Sequence, residues 1–114
     1  MIFVFGSNLA GRHGRGAANF ALRNHGAIYG QGWGLQGNSF AIPTKDANIR
    51  TLPLPFIRTY VEKFKSFARD NPEMTFQLTP IGCGLAGYNY EDIGPMFQNS
   101  PSNVVIPKEF EPYI

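Results

Sequence analysis

Thr75-Phe76-Gln77-Leu78-Thr79 leads through Pro80-Ile81 into Gly82-Cys83-Gly84-Leu85-Ala86-Gly87-Tyr88, and this into Tyr90-Glu91-Asp92-Ile93. The first part reads as a strand and the last as a short helix. The loop between them places three glycines in six residues. Glycine lets backbone come close to another group and takes positive φ without penalty. Exposed amides in such a loop suit an anion such as a phosphate.

Working outward, the same strand–loop–helix order recurs at the N-terminus. Ile2-Phe3-Val4-Phe5 is a continuous apolar run, as in a strand buried on both faces. Gly6 to Gly16 is a loop. Ala17 to Arg23 reads as a helix with Ala17, Phe20, Ala21 and Asn24 on one face, capped by His25 and stopped at Gly26. Ala27 to Asn38, with Gly30, Gly32, Gly34 and Gly37, reads as an irregular loop holding at most a short strand. Ser39 to Ile42 is a strand ending at Pro43. After Pro53 and Pro55, which suit a helix entrance, Ile57, Tyr60, Val61, Phe64, Phe67 and Ala68 repeat at helical spacing. Asn71-Pro72 ends that helix. A helix over Asn89–Phe97 is kinked near Gly94-Pro95, and Val104-Val105-Ile106 is the last strand. This alternation predicts an α/β fold, a three-layer α/β/α sandwich around a mixed, largely parallel sheet.

The chain has 114 residues, which is one domain spanning 1–114. Hydrophobic residues make up 43%, enough to build a core. Charged residues are only 16%, below the level of disordered chains. A net charge of +2 admits an anionic ligand but gives no footprint of a duplex-DNA binder. The single cysteine, Cys83, rules out an intramolecular disulfide and fits a reducing compartment. No stretch has the length of a membrane span, and the N-terminal run lacks the charged start of a signal peptide. These features predict a cytoplasmic protein. His13 and His25 with one cysteine make no metal signature, and no cofactor is implied.

In parallel sheets ligands sit beyond the carboxyl ends of the strands, where the loops Gly6–Gly16, Pro43–Asn48 and Gly82–Asn89 belong. Gly14-Arg15-Gly16 opens a helix and can turn its amides to a phosphate; a tight turn gives the same spacing. Neither Gly-x-Gly-x-x-Gly nor Gly-x-x-x-x-Gly-Lys-Ser/Thr is present, which argues against an ordinary dinucleotide or ATP site. Asn8 suits a ribose hydroxyl, or a turn in which it bonds its own backbone. Lys45 suits phosphates or attack on an aldehyde-like sugar carbon, and is otherwise a solvated lysine. His13 is a weaker candidate for ligand contact. Cys83 has no histidine near it in sequence and reads as a small buried loop residue. Asp46, Glu91 and Asp92 are the carboxylates nearest the expected cleft, the last two placed as a helix start favours. Trp33 and Tyr88 suit stacking on a base or packing in the core.

Three segments resemble a macrodomain, the ADP-ribose-binding fold, and most closely its branch of lysine-dependent ADP-ribosyl hydrolases, which includes antitoxins that remove ADP-ribose from DNA. Asn8-Leu9-Ala10-Gly11-Arg12-His13-Gly14-Arg15-Gly16-Ala17 is similar to the loop that begins with a ribose-binding Asn and ends in Gly-x-Gly. Ile42-Pro43-Thr44-Lys45 resembles the strand end that presents the branch's lysine. Pro80 to Tyr88 is similar to the phosphate-binding loop. The resemblance implies a minimal macrodomain-like fold whose ligand is ADP-ribose, free or carried on DNA or protein. It implies Lys45 as the catalytic residue and Asn8, Gly11, Gly14, Gly16, Gly82, Cys83, Gly84, Leu85, Ala86, Gly87 and Tyr88 as ligand-binding residues. Two departures accompany it. Ala86 stands where the branch's enzymes that strip ADP-ribose from protein glutamates carry a catalytic Asp, and Ile2–Phe5 is expected to be the first strand, without the earlier strands whose acid reads adenine. The alternative expectation is a non-catalytic reader or sponge of ADP-ribose or a related signalling nucleotide.

Overall fold

Ile2–Asn8 forms the first strand, β1, three residues longer than its apolar run. Val4 and Phe5 are both fully buried although they point to opposite faces, so β1 is covered on both sides. A computed structural model describes all 114 residues. Its elements follow as α1 (Gly16–Asn24), β2 (Gly34–Gln36), β3 (Ser39–Lys45), α2 (Leu54–Asp70), β4 (Phe76–Leu78), α3 (Tyr90–Ile93) and β5 (Val104–Val105). Two 3₁₀ turns, Gly94–Phe97 and Glu111–Tyr113, complete it. The five strands make one sheet in the order β2-β3-β1-β4-β5. β1 pairs in parallel with β3 and β4, β4 with β5, and only β2 runs antiparallel, on the edge. This is the expected α/β fold with a mixed, largely parallel sheet.

The helices lie on opposite faces of β1. Val4, Phe40, Ile42, Phe76 and Leu78 face a large core with Ile57, Val61, Phe64 and Ala68 of α2 and with Met96, Phe97 and Phe110. Phe40, Phe64 and Phe76 contact one another edge to face there. Phe5 and Ala41 point the other way, to a smaller core closed by Ala18, Ala21 and Ala27. α1, with nine residues, is the one helix on that side. Its buried positions are Ala18 and Ala21; of the expected stripe through Ala17, Phe20, Ala21 and Asn24 only Ala21 is buried. Phe20 is exposed, leaning across Phe3 of the central strand and His25. Small alanines allow the helix backbone to approach Phe5 and Ala41 closely.

The segment read as an irregular loop is more ordered than its composition suggests. β2 and β3 form a hairpin whose two-residue turn, Gly37-Asn38, joins the pair Gln36–Ser39. Gly37 has φ 58°, and a Cβ on it would fall 2.5 Å from the Gly26 carbonyl oxygen. Trp33 packs edge-on against Phe40 and beside Tyr60, which makes it a core residue. Pro43 lies past Ala41, the last β3 residue paired to β2, so its missing N–H interrupts no rung of that ladder. The register between β1 and β3 slips after Ser7–Pro43, so that Asn8 stands opposite Lys45.

Candidate functional site

The carboxyl ends of the adjacent parallel strands β3, β1 and β4 open into one cleft of about 690 Å³, within the range of small-molecule sites. Gly6, Ser7 and Asn8 end β1, and Thr44 and Lys45 end β3. The loop Thr79–Ala86 follows β4 and the residues Arg15–Ala18 begin α1, and both reach the cleft. The two glycine loops approach each other: a Cβ on Gly16 would lie 4.0 Å from Leu85 Cδ1, and one on Gly6 would lie 3.5 Å from the Gly82 nitrogen.

Their backbones carry the cleft's chemistry. Within the second loop, Cys83 N–H donates to Pro80 O, Gly87 N–H to Gly84 O at 3.0 Å and Tyr88 N–H to Gly82 O at 2.9 Å. These bonds fold the loop and leave the amides of Gly82, Gly84, Leu85 and Ala86 without a protein acceptor. Gly14, Arg15 and Gly16 are equally without one. Arg15 precedes α1 and makes no side-chain cap, and the first turn holds no acid. Unpaired amide donors therefore belong to the cleft's lining on two sides, with the positive end of α1 at one of them.

The side chains add charge of the same sign. Arg12, Arg15 and Lys45 line the cleft and no Asp or Glu does. The one ion pair in the protein joins Lys65 to Glu62, so all three cations are unpaired. Asp46 is turned to its own loop, where Oδ1 accepts from the N–H groups of Asn48 and Arg50 at 2.8 and 3.0 Å. Asp92 accepts from Asn89 N–H in the capping box of α3. The cleft thus offers hydrogen-bond donors and positive charge, and its lining has no carboxylate to act as a general base.

Of the residues named from the sequence, Asn8, Gly14, Gly16, Lys45, Gly82, Gly84, Leu85 and Ala86 line the cleft. Gly11, Cys83, Gly87 and Tyr88 lie outside it, for different reasons. Gly11 has φ 70°, and a Cβ there would meet Gly30 C at 2.3 Å, so it is the seat on which the Gly30 loop rests. Cys83 turns to a smaller depression with Tyr88, Glu91 and Tyr113. Burial, then the nearby Asp92 charge, pushes its thiol up to about 11, which leaves little thiolate at neutral pH. Gly87 (φ 89°) lets the loop turn back. The Tyr88 hydroxyl donates to Leu52 O at 2.7 Å and anchors the loop to the segment before α2. Thr51 does the same from outside, donating to Ala86 O at 2.9 Å.

Two further expectations change. Asn8 lines the cleft, but its carboxamide closes its own loop, donating to Arg12 O at 3.0 Å and accepting from Arg12 N–H at 2.9 Å. That is the turn reading of this residue, and it sets where Arg12 stands. His13 is fully buried and does not face the cleft. Gln36 donates from Nε2 to Gln31 O and Gly34 O, so its Oε1 is the acceptor, taking Ile28 N–H at 2.8 Å and His13 Nε2–H at 3.1 Å. His13 Nδ1 is buried without a partner.

Sequence reasoning did not single out Arg12, Arg15, Tyr29, Thr44 or Ile49 as cleft residues. Two arginines within a glycine loop after a buried strand were a usable signal. Tyr29 and Ile49 carried none. No three His, Cys, Asp or Glu side chains group as a metal site requires, and no helix is long and apolar enough to cross a membrane. The chain matches no protein-family model, no curated protein and no solved structure.

Proposed function

We propose that the cleft binds ADP-ribose or a related nucleotide diphosphate, and that Lys45 acts there on an ADP-ribosyl linkage to DNA or protein. The observation that carries the reading is the two sets of free amides in the cleft lining, those of Gly14, Arg15 and Gly16 and those of Gly82, Gly84, Leu85 and Ala86, combined with three unpaired cations and no lining acid. A diphosphate supplies acceptors for both sets, and the cavity of about 690 Å³ leaves space for a sugar and a base. The segments that resemble a macrodomain, outlined above, support the same ligand.

In the catalytic form of this reading the Lys45 amine attacks the anomeric carbon. The bond from that carbon to the base or side-chain atom breaks, and its electron pair leaves with that atom, which takes up a proton. Water then releases the sugar from the lysine. The half-buried position of Lys45 at the end of β3, beside the phosphate loops, supports this role. A non-catalytic reader of the same ligand is favoured by Ala86 and by the absence of any carboxylate from the lining. Calorimetry with ADP-ribose and turnover of ADP-ribosylated DNA and protein separate the two. Lys45→Ala is expected to abolish turnover and to weaken binding by about tenfold at most. Turnover at the wild-type rate in that variant rules out the lysine mechanism, and tight binding without turnover in the wild type identifies a reader.

A further inference from the structure

Ile49 has φ 65°, in the left-handed region, which a β-branched residue occupies only under strain. It belongs to a tight hairpin. Lys45 and Thr51 face each other as an antiparallel bridge, Ile49 N–H donates to Asp46 O at 3.1 Å, and Asp46 N–H donates to Arg50 O at 2.7 Å. A short hairpin loop of this kind closes on a left-handed residue, and glycine is its usual occupant. Asp46 Oδ1 holds the turn from inside through Asn48 and Arg50 N–H. None of these bonds involves the Ile49 side chain.

That side chain belongs to neither core cluster. It is 37% exposed and lines the cleft together with Lys45. Glycine or asparagine takes this backbone conformation at lower cost, and Asn48 stands one position earlier. Folding therefore does not call for isoleucine here. Leu85 and Tyr29 also give the cleft apolar surface, but neither has positive φ; of the three, Ile49 alone is held there against a backbone preference. Strain kept at a cleft by surrounding bonds is a mark of function.

We infer that Ile49 is a specificity-determining contact for the ring portion of the ligand. Its side chain packs on a face of the ribose or base, while the phosphates take the amides and cations. The assignment rests on the nucleotide reading of the cleft. It gives an apolar role to a loop that the strand-end lysine otherwise explains alone.

The test uses Ile49→Gly, Ile49→Asn and Ile49→Leu, melted without ligand and titrated by calorimetry with ADP-ribose and with inorganic pyrophosphate. Relief of strain is expected to leave the melting temperature of the Gly and Asn variants unchanged or raised by up to about 5 °C. Their affinity for ADP-ribose falls about tenfold and that for pyrophosphate stays within about twofold. Ile49→Leu keeps ADP-ribose affinity within about threefold. Unchanged ADP-ribose affinity in the Gly and Asn variants overturns the ring contact and leaves the cleft reading intact. Equal weakening of pyrophosphate, or a lower melting temperature, overturns it by making Ile49 a support of the turn. A wild-type protein that binds pyrophosphate but not ADP-ribose sinks the nucleotide reading, and the ring contact with it; one that binds neither sinks the anion cradle as well.

Discussion

Two glycines three positions apart in the sequence do different work. Gly11 carries φ 70°, and a Cβ on it would sit 2.3 Å from Gly30 C and 2.4 Å from Gln31 N. Both obstacles are backbone, so neither moves cheaply. Gly14 has no atom within 4 Å of a Cβ position and no positive φ. Gly11→Ala is therefore expected to cost about 3 kcal/mol or more, seen as a melting temperature lower by roughly 10 °C. Gly14→Ala is expected to leave stability within about 0.5 kcal/mol while weakening anion binding, because it adds a methyl at a residue of the cleft lining next to the free amides of Arg15 and Gly16. Equal melting temperatures for the two variants would remove the distinction. From the sequence these glycines looked alike, since Gly-x-x-Gly says nothing of what packs behind each residue. Tyr88 and Cys83 show the same limit. They lie in a loop whose residues Gly82, Gly84, Leu85 and Ala86 line the cleft, yet the Tyr88 hydroxyl is bonded to Leu52 O and Cys83 borders the separate depression with Glu91 and Tyr113.

The elements were legible where their periodicity was carried by large apolar residues. α2 buries Ile57, Val61, Phe64 and Ala68 as their spacing required, and β1 was evident from its run of apolar residues. The β2–β3 hairpin was hidden because Gly34 and Gly37 replace the side chains that would have displayed a strand's alternation. Its glycines serve close packing instead. A Cβ on Gly32 would lie 2.1 Å from Asn8 O, and Ser7 Oγ–H donates to Gly32 O, so this segment backs the Asn8 loop directly. The C-terminal 3₁₀ turn was equally hidden, although Phe110 before it is fully buried and stacks on Phe97 at 5.7 Å. α2 holds this end through one residue that its apolar stripe did not announce. Lys65 is 6% exposed, and its Nζ donates to Met96 O at 3.0 Å and Gln98 O at 2.8 Å. Gln98 in turn donates to Tyr113 O. Lys65→Met keeps the stem but strands two carbonyls, and is expected to cost about 2–4 kcal/mol in chemical denaturation. Glu62→Gln removes only the exposed partner of the ion pair and is expected to cost about 0.5 kcal/mol or less. If Lys65→Met were as mild as Glu62→Gln, the strap from α2 to the C-terminal turns would carry no weight.

Across the whole molecule the charge is unevenly spread. Arg12, Arg15 and Lys45 place three positive charges in the cleft, more than the net +2 of the entire chain, so the remaining surface is slightly acidic. A screened, exposed charge loses reach as ionic strength rises, with a Debye length near 10 Å at 0.1 M salt. Hydrogen bonds from backbone amides in direct contact with a phosphate depend on salt much less. Binding of a diphosphate ligand is therefore expected to have two parts: one that falls with salt and follows the arginines, and one that persists and follows the loops. Arg12→Gln and Arg15→Gln should each weaken binding roughly three- to tenfold at 50 mM salt, with a smaller effect at 500 mM, and should flatten the salt dependence. Arg58→Gln serves as the control, since Arg58 borders a separate shallow depression on α2 and should change neither quantity. Gly84→Pro removes one cradle amide and should lower affinity at both salt concentrations alike. An Arg58→Gln effect as large as that of Arg15→Gln would mean that the ligand responds to overall charge and not to this cleft. A salt-independent wild-type affinity would mean that the three cations do not reach it.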